Sequence, residues 1–144
     1  MAIIEKIISH SESETYKLSF GFGQQLEKGS VVCLFGDLGA GKTTFIKGLA
    51  AGAAGYPSEN VSSPTFVYLN VYEGTTNIYH FDLYRLRDSD EFLAAGFDEY
   101  LHYDGICCIE WSEKIAELIP EDVITIHLSH VNENSREIII QQGD

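Results

Sequence analysis

Basic residues are scarce in this chain of 144 residues: nine Lys+Arg face 22 Asp+Glu, for a net charge of −13. Such acidity argues against direct, sequence-tolerant binding to a phosphate backbone, which calls for a basic face. It argues equally against docking on an anionic membrane. Cysteine is also scarce. Cys33, Cys107 and Cys108 are odd in number, lie in apolar runs and form no C-x-x-C or Cys/His pattern. Neither a disulfide framework nor a zinc site is expected from them, only buried reduced thiols. Long hydrophobic runs are missing: the longest, 31–35 and 105–109, fall far short of the ~20 residues that span a bilayer. The start, Met1 to Lys6, carries an acid early and has no apolar region before a small-residue cleavage site, so no signal peptide is read. These absences predict a cytoplasmic protein. No repeat or low-complexity linker interrupts it, and one domain over 1–144 is expected.

What is present alternates. Residues 2–9 read as a strand, and Ser11-Glu12-Ser13-Glu14 is a capping-box pattern that opens a helix to about Leu26. The segment 30–35 is a strand apolar enough to be buried on both faces. A glycine-rich turn leads into a helix over 42–53. β-Branched and aromatic residues over 65–72 and 77–84 flank Glu73-Gly74-Thr75-Thr76, a hairpin signal. A helix starting at Asp88 is broken at Gly96 and resumes through His102. A buried strand at 105–110, a short helix capped by Ser112, and strands at 123–130 and 136–141 complete the chain. Strands alternating with helices predict an α/β, P-loop NTPase-like three-layer fold with a mixed central sheet and inserted hairpins.

Gly36-Asp37-Leu38-Gly39-Ala40-Gly41-Lys42-Thr43 fits G-x-x-x-x-G-K-[ST] at every fixed position, between a buried strand and a helix. Glycines let the backbone approach phosphates without a Cβ. Backbone amides over Asp37, Leu38, Gly39, Ala40, Gly41, Lys42, Thr43 and Thr44 then converge on the anion at a helix N-terminus. Lys42 reaches the β- and γ-phosphates, and the Thr43 hydroxyl faces Mg²⁺. The cofactors read from this loop are a nucleoside triphosphate and Mg²⁺.

Such a loop needs a carboxylate at the end of a neighbouring strand. Glu110 follows four apolar residues, and Asp82 ends Ile78-Tyr79-His80-Phe81-Asp82. Strand alternation places His80, Asp82 and Tyr84 on one face, where buried polar groups need partners. Trp111 follows Glu110 and is read as packing or as a contact to the site. His10, His102, His127 and His130 show no metal-ligand spacing. Phe97, Tyr100 and Tyr103 are candidates for a docking face, with core packing equally open for Phe97.

Taken together, the P-loop through Thr44-Phe45, Ser63-Pro64-Thr65-Phe66, His80-Phe81-Asp82-Leu83-Tyr84-Arg85, Gly96-Phe97-Asp98-Glu99-Tyr100 and Ile109-Glu110-Trp111-Ser112-Glu113 resemble the TsaE (YjeE) family of bacterial P-loop ATPases. The resemblance covers nearly the whole chain. It implies an ATP-hydrolysing subunit acting beside TsaB- and TsaD-type proteins in forming N6-threonylcarbamoyladenosine on tRNAs that read codons beginning with A. Hydrolysis there supports turnover of the complex rather than the transfer step, and tRNA is met only through the complex. On that basis Lys42, Asp82 and Glu110 are expected to be catalytic, and Thr43 and Glu110 to hold Mg²⁺. Asp82 either touches metal-bound water or orients the attacking water. Thr65 is a candidate γ-phosphate sensor, and His80, Tyr84, Arg85 and Trp111 shape the site or couple it to partners. The start of the first helix and Arg136 are candidates for the adenine pocket.

Other readings fare less well. A small-molecule kinase wants several arginines and a lid, and the chain has only Arg85, Arg87 and Arg136. A GTPase wants N-K-x-D and D-x-x-G, and neither is present. A non-hydrolysing ATP-bound adaptor shares every feature and is separated only by turnover.

Overall fold

Short apolar runs bounded by turn residues become strands, and among the described residues seven of them pair into one sheet. The structure, a computed structural model, describes residues 2–37, 39–64, 67–102 and 104–143. The first half runs β1 (Ala2–Ser9), α1 (Glu12–Gln25), β2 (Val31–Phe35), α2 (Lys42–Ala54), β3 (Leu69–Tyr72) and β4 (Ile78–Asp82). The second half runs α3 (Ser89–Ala94), β5 (Ile106–Glu110), β6 (Ile124–His130) and β7 (Arg136–Gln142). Short 3₁₀ segments occupy Ser58–Asn60, Phe97–His102 and Ser112–Leu118, the last kinked at Ile115.

The strand order is β1-β7-β6-β2-β5-β4-β3. β6, β2, β5 and β4 form a parallel centre. β7 and β1 extend one edge and β3 the other, all antiparallel. Strands at the centre of a parallel sheet are covered on both faces, and β4 and β5 are buried at every position. Alternation along β2 divides its side chains: Val32 and Leu34 enter a core under α1 and α2, while Val31 and Cys33 enter a second core under α3 and the 3₁₀ segments. This is the three-layer α/β arrangement with a mixed sheet that the pattern predicts.

Some expectations shift. Of the strand expected over 65–72, residues 65–66 lie outside the described residues and the strand begins at Leu69, because the Tyr68 N–H closes a turn on the Pro64 carbonyl at 2.8 Å and Tyr68 takes a left-handed φ of 68°. The next strand stops at Asp82 rather than at residue 84, so Tyr84 leaves the face it was expected to share with His80 and Asp82. Ser112 is inside its 3₁₀ segment, and the residue at the N-cap is Trp111. Phe97 packs on Phe81 and Phe92, and Tyr100 on Tyr79 and Phe81, so both belong to the second core rather than to a docking face. Tyr103 lies outside the described residues. At the start of α1, Ser11 Oγ accepts the Glu14 N–H at 3.0 Å, while the Glu14 carboxylate reaches back one residue further than expected, to the His10 N–H.

α1 and α2 cross closely enough that a Cβ at Gly52 would overlap the Phe20 carbonyl oxygen. Gly52→Ala is expected to destabilise the fold by about 1–3 kcal/mol, read as a lower urea midpoint at unchanged slope.

Burial pushes the Cys33 thiol up to about 11 and the Cys107 thiol up to about 12, from an ordinary value of 9.0. The unfolded chain releases these protons from about pH 9 upward while the fold keeps them. Their contribution to stability is therefore complete below pH 9 and is lost as the pH rises toward 11–12. Denaturation at pH 8 and pH 10.5 is expected to show the fall. At pH 8 the native chain is expected to resist a thiol reagent that the unfolded chain consumes.

Candidate active site

β2 ends at Phe35, and the chain turns at once into α2. Gly41 sits at the N-cap of α2 with φ 103°, a left-handed conformation that a side chain would strain. No side chain caps this end, so the first N–H groups of α2 face outward over the turn with the positive end of the helix dipole. Ala40 is fully buried and serves the turn through its backbone, its N–H donating to the Asp37 carbonyl at 3.0 Å. Leu38 lies outside the described residues. Arg136 fastens the turn from the far side: one guanidinium nitrogen donates to the Gly39 carbonyl at 3.2 Å, the other to carbonyls of the β6–β7 turn.

Over this turn opens a cavity of about 770 Å³. Lys42, Thr43, Thr44, Ser63, Asp82, Tyr84, Glu110 and Trp111 share its wall with the P-loop. The register of the parallel sheet accounts for the meeting of the acids: Leu34 on β2 pairs with Glu110 on β5, and Glu110 pairs with Asp82 on β4. Both acids thus sit at the C-terminal strand ends, where open α/β sheets bind ligands.

Each carboxylate is held by its two oxygens in different ways. Glu110 Oε1 lies 3.7 Å from Lys42 Nζ, and Oε2 lies 2.8 Å from His80 Nε2. Asp82 Oδ2 accepts from Ser63 Oγ at 3.0 Å, and Oδ1 accepts the Tyr84 N–H at 3.1 Å. The second bond turns the chain out of β4 and carries Tyr84 to the rim. Trp111, with a left-handed φ of 63°, makes the matching exit from β5. Its ring lies 5.1 Å from that of Tyr84 and 6.0 Å from Lys42 Nζ.

His80 does not reach the cavity wall. It is 1% exposed and stands behind Glu110, its Nδ1 2.8 Å from the Tyr72 hydroxyl. Tyr72 escaped the sequence analysis. The usable signal was the hairpin register: Asn70 pairs with His80 and Tyr72 with Ile78, which puts Tyr72 and His80 on one face as diagonal neighbours. Arg85 is exposed and away from the cavity wall. Thr65 lies outside the described residues.

A second cavity of about 330 Å³ opens on the other side of the turn. Ser11, Glu12 and Thr15 of the first helix and its cap line it with Glu133, Asn134 and Arg136, and it shares Glu12, Gly39, Gly41 and Thr44 with the larger one. The start of α1 and Arg136 therefore do meet beside the P-loop. His10, which the sequence offered no reason to single out, lines the same cavity. Among the described residues no group of three or more His, Cys, Asp or Glu is gathered to hold a metal by itself.

The family model for the threonylcarbamoyl adenosine biosynthesis protein TsaE matches residues 9–138. The chain belongs to the TsaE family. The matched span includes the whole P-loop and both acids. A tRNA threonylcarbamoyladenosine biosynthesis protein TsaE of Treponema pallidum is 42% identical over 135 residues, covering 94% of this chain and 98% of that protein. The TsaE of Bacillus subtilis is 43% identical over 111 residues, covering 76% of this chain and 68% of the relative. The crystal structure of Bacillus subtilis YdiB superposes with a TM-score of 0.81 at 31% identity, covering all of this chain and 89% of that one. The structural likeness extends over the same mixed α/β fold.

Trp111 is the one tryptophan in the chain and lies beside Lys42. Adding tripolyphosphate, a bare anion of the right shape, is expected to change its fluorescence emission. Lys42→Ala is expected to abolish that response while leaving the far-ultraviolet circular dichroism of the fold unchanged.

Proposed function

We propose that this chain is an Mg²⁺-dependent ATPase that serves threonylcarbamoyladenosine formation on tRNA, acting with TsaB- and TsaD-type partners and meeting tRNA only through them. One observation carries the chemistry: Lys42, Thr43, Asp82 and Glu110 face a single cavity over the P-loop. Family membership supports the pathway. The net charge of −13 supports indirect contact with tRNA. Among the described residues lining the larger cavity, Lys42 is the only cation, which favours hydrolysis over the arginine-clamped transfer of a kinase.

The donor set fits magnesium. One hydroxyl and one or two carboxylates suit an ion that keeps most of its shell as water and phosphate oxygen. Thr43 and Glu110 would hold it, and when bound it neutralises charge on the phosphates. The residues of the chain do the rest. Lys42 exchanges its Glu110 partner for the β- and γ-phosphates, joined there by the N–H groups at the start of α2. Asp82, aimed by Ser63 and by the Tyr84 N–H, orients the attacking water or a water of the cation. Tyr84 and Trp111 wall the mouth and limit bulk water. The smaller cavity, with Arg136 and the start of α1, receives the adenosine end. Hydrolysis resets the partner complex rather than making the threonylcarbamoyl bond.

The test is ATP turnover by the purified chain, alone and with the TsaB–TsaD pair. Strong stimulation by the pair is expected. Lys42→Ala and Asp82→Ala are each expected to lower the stimulated rate at least ~100-fold, with Asp82→Ala still binding ATP. Turnover that appears only with a small phosphoryl acceptor would replace this reading with a kinase. ATP binding without turnover under any condition would replace it with an adaptor.

A further inference from the structure

We infer that Tyr72 is a positioning residue for Glu110, acting through His80, and that this line ties the segment 62–63 to the acid that faces the cation. The inference rests on the Mg²⁺–ATP reading of the larger cavity and deepens it.

Tyr72 is 2% exposed, and its ring stacks on Tyr56 at 4.7 Å. A phenylalanine would fill that space equally well. The hydroxyl needs another reason, because a buried one costs free energy unless it is bonded. It has two partners: the Ser62 carbonyl at 2.9 Å and His80 Nδ1 at 2.8 Å. A carboxylate only accepts, so His80 Nε2–H donates to Glu110, and Nδ1 meets the Tyr72 hydroxyl, which also reaches the Ser62 carbonyl. Burial holds the phenol above its ordinary value, which keeps it a donor. With Nδ1 held, the ring presents Nε2 to Glu110 Oε2 at 2.8 Å, and the other oxygen, Oε1, is left facing Lys42 in the cavity. A ring held at both nitrogens cannot rotate without breaking two hydrogen bonds. Partners behind a ligand act in this way, fixing its direction and basicity.

The line has a second branch. Asn70 Nδ2 also donates to the Ser62 carbonyl, at 3.1 Å, and the next residue, Ser63, donates to Asp82. Adjacent residues of one loop are thereby bonded toward both acids, directly to Asp82 and through Tyr72 and His80 to Glu110. A shift of this loop must re-aim both carboxylates together.

Tyr72→Phe removes only the hydroxyl. Nucleotide affinity measured in EDTA is expected to stay within about 2-fold of wild type, since Lys42 and the P-loop are untouched. The Mg²⁺ concentration at half-change of Trp111 emission in the ADP complex is expected to rise about 10-fold, and kcat to fall similarly with KM for ATP unchanged. His80→Gln is expected to do the same, and the double variant no more than either alone. In wild type, nitrogen–proton correlation NMR of the histidine rings is expected to find His80 protonated at Nε2, with that proton protected from exchange.

Tyr72→Phe with the wild-type Mg²⁺ requirement would overturn the inference, as would effects that add in the double variant. A His80 bare at Nε2 overturns it without any variant, should Tyr72→Phe fail to fold. A change of affinity in EDTA equal to that in Mg²⁺ would reduce Tyr72 to packing. A wild-type chain that binds nucleotide but shows no Mg²⁺ response would sink the metal role of Glu110 and this inference with it. One that binds no nucleotide would sink the ATP reading itself.

Discussion

The parallel register of β2, β5 and β4 is the constraint on which the site depends. It sets Leu34 beside Glu110 and Glu110 beside Asp82, so the P-loop and both acids emerge at the same level of the sheet. A slip of one residue would send every side chain of the strand to the opposite face. Apolar alternation guards against this: Val32 and Leu34 on one face and Val31 and Cys33 on the other each have their own core to fill. Hydrophobic burial is non-directional, yet through the period of a strand it fixes the direction of two carboxylates.

Polar burial is the second consequence. His80 and Tyr72 are almost wholly enclosed, and Glu110 is 7% exposed. Leaving one such group unbonded costs about 1–3 kcal/mol. Among the described residues no buried side-chain nitrogen or oxygen lacks a partner. The line Ser62–Tyr72–His80–Glu110–Lys42 satisfies itself by running from a loop carbonyl to the ammonium of the P-loop. Satisfying buried groups and aiming an acid of the cavity are here one arrangement. Tyr84 and Trp111 complete the mouth because the chain leaves both strands sharply, at the Asp82 turn and at the left-handed Trp111.

Much of this was legible in the residues. Gly36 to Thr43 announced the glycine-rich turn at the cavity, and Asp82 and Glu110, each closing an apolar run, announced the acids that line it. Each signal is local: a glycine pattern at fixed spacing, or a charge directly after a strand. Where the reading failed or stayed open, distant contacts decided. Tyr100, expected on a docking face, and Phe97, for which core packing was open, both pack against a core assembled from β4, β5 and α3. Tyr84 follows the strand alternation on paper but leaves the strand, because the Asp82 carboxylate captures its N–H.

By itself the sequence determined the alternation of strands and helices, the glycine-rich turn before the second helix, the two acids at strand ends and the acidic net charge, because periodicity, glycine spacing and charge act over a few residues at a time. The tertiary structure alone decided that Tyr72 stands behind His80 and His80 behind Glu110, that Arg136 closes on Gly39 across 97 positions of chain, and that the start of α1 meets the P-loop beside a second cavity. Those meetings depend on strand order and register. Pairing distant segments is a property of the whole sheet, and no short stretch of residues encodes it.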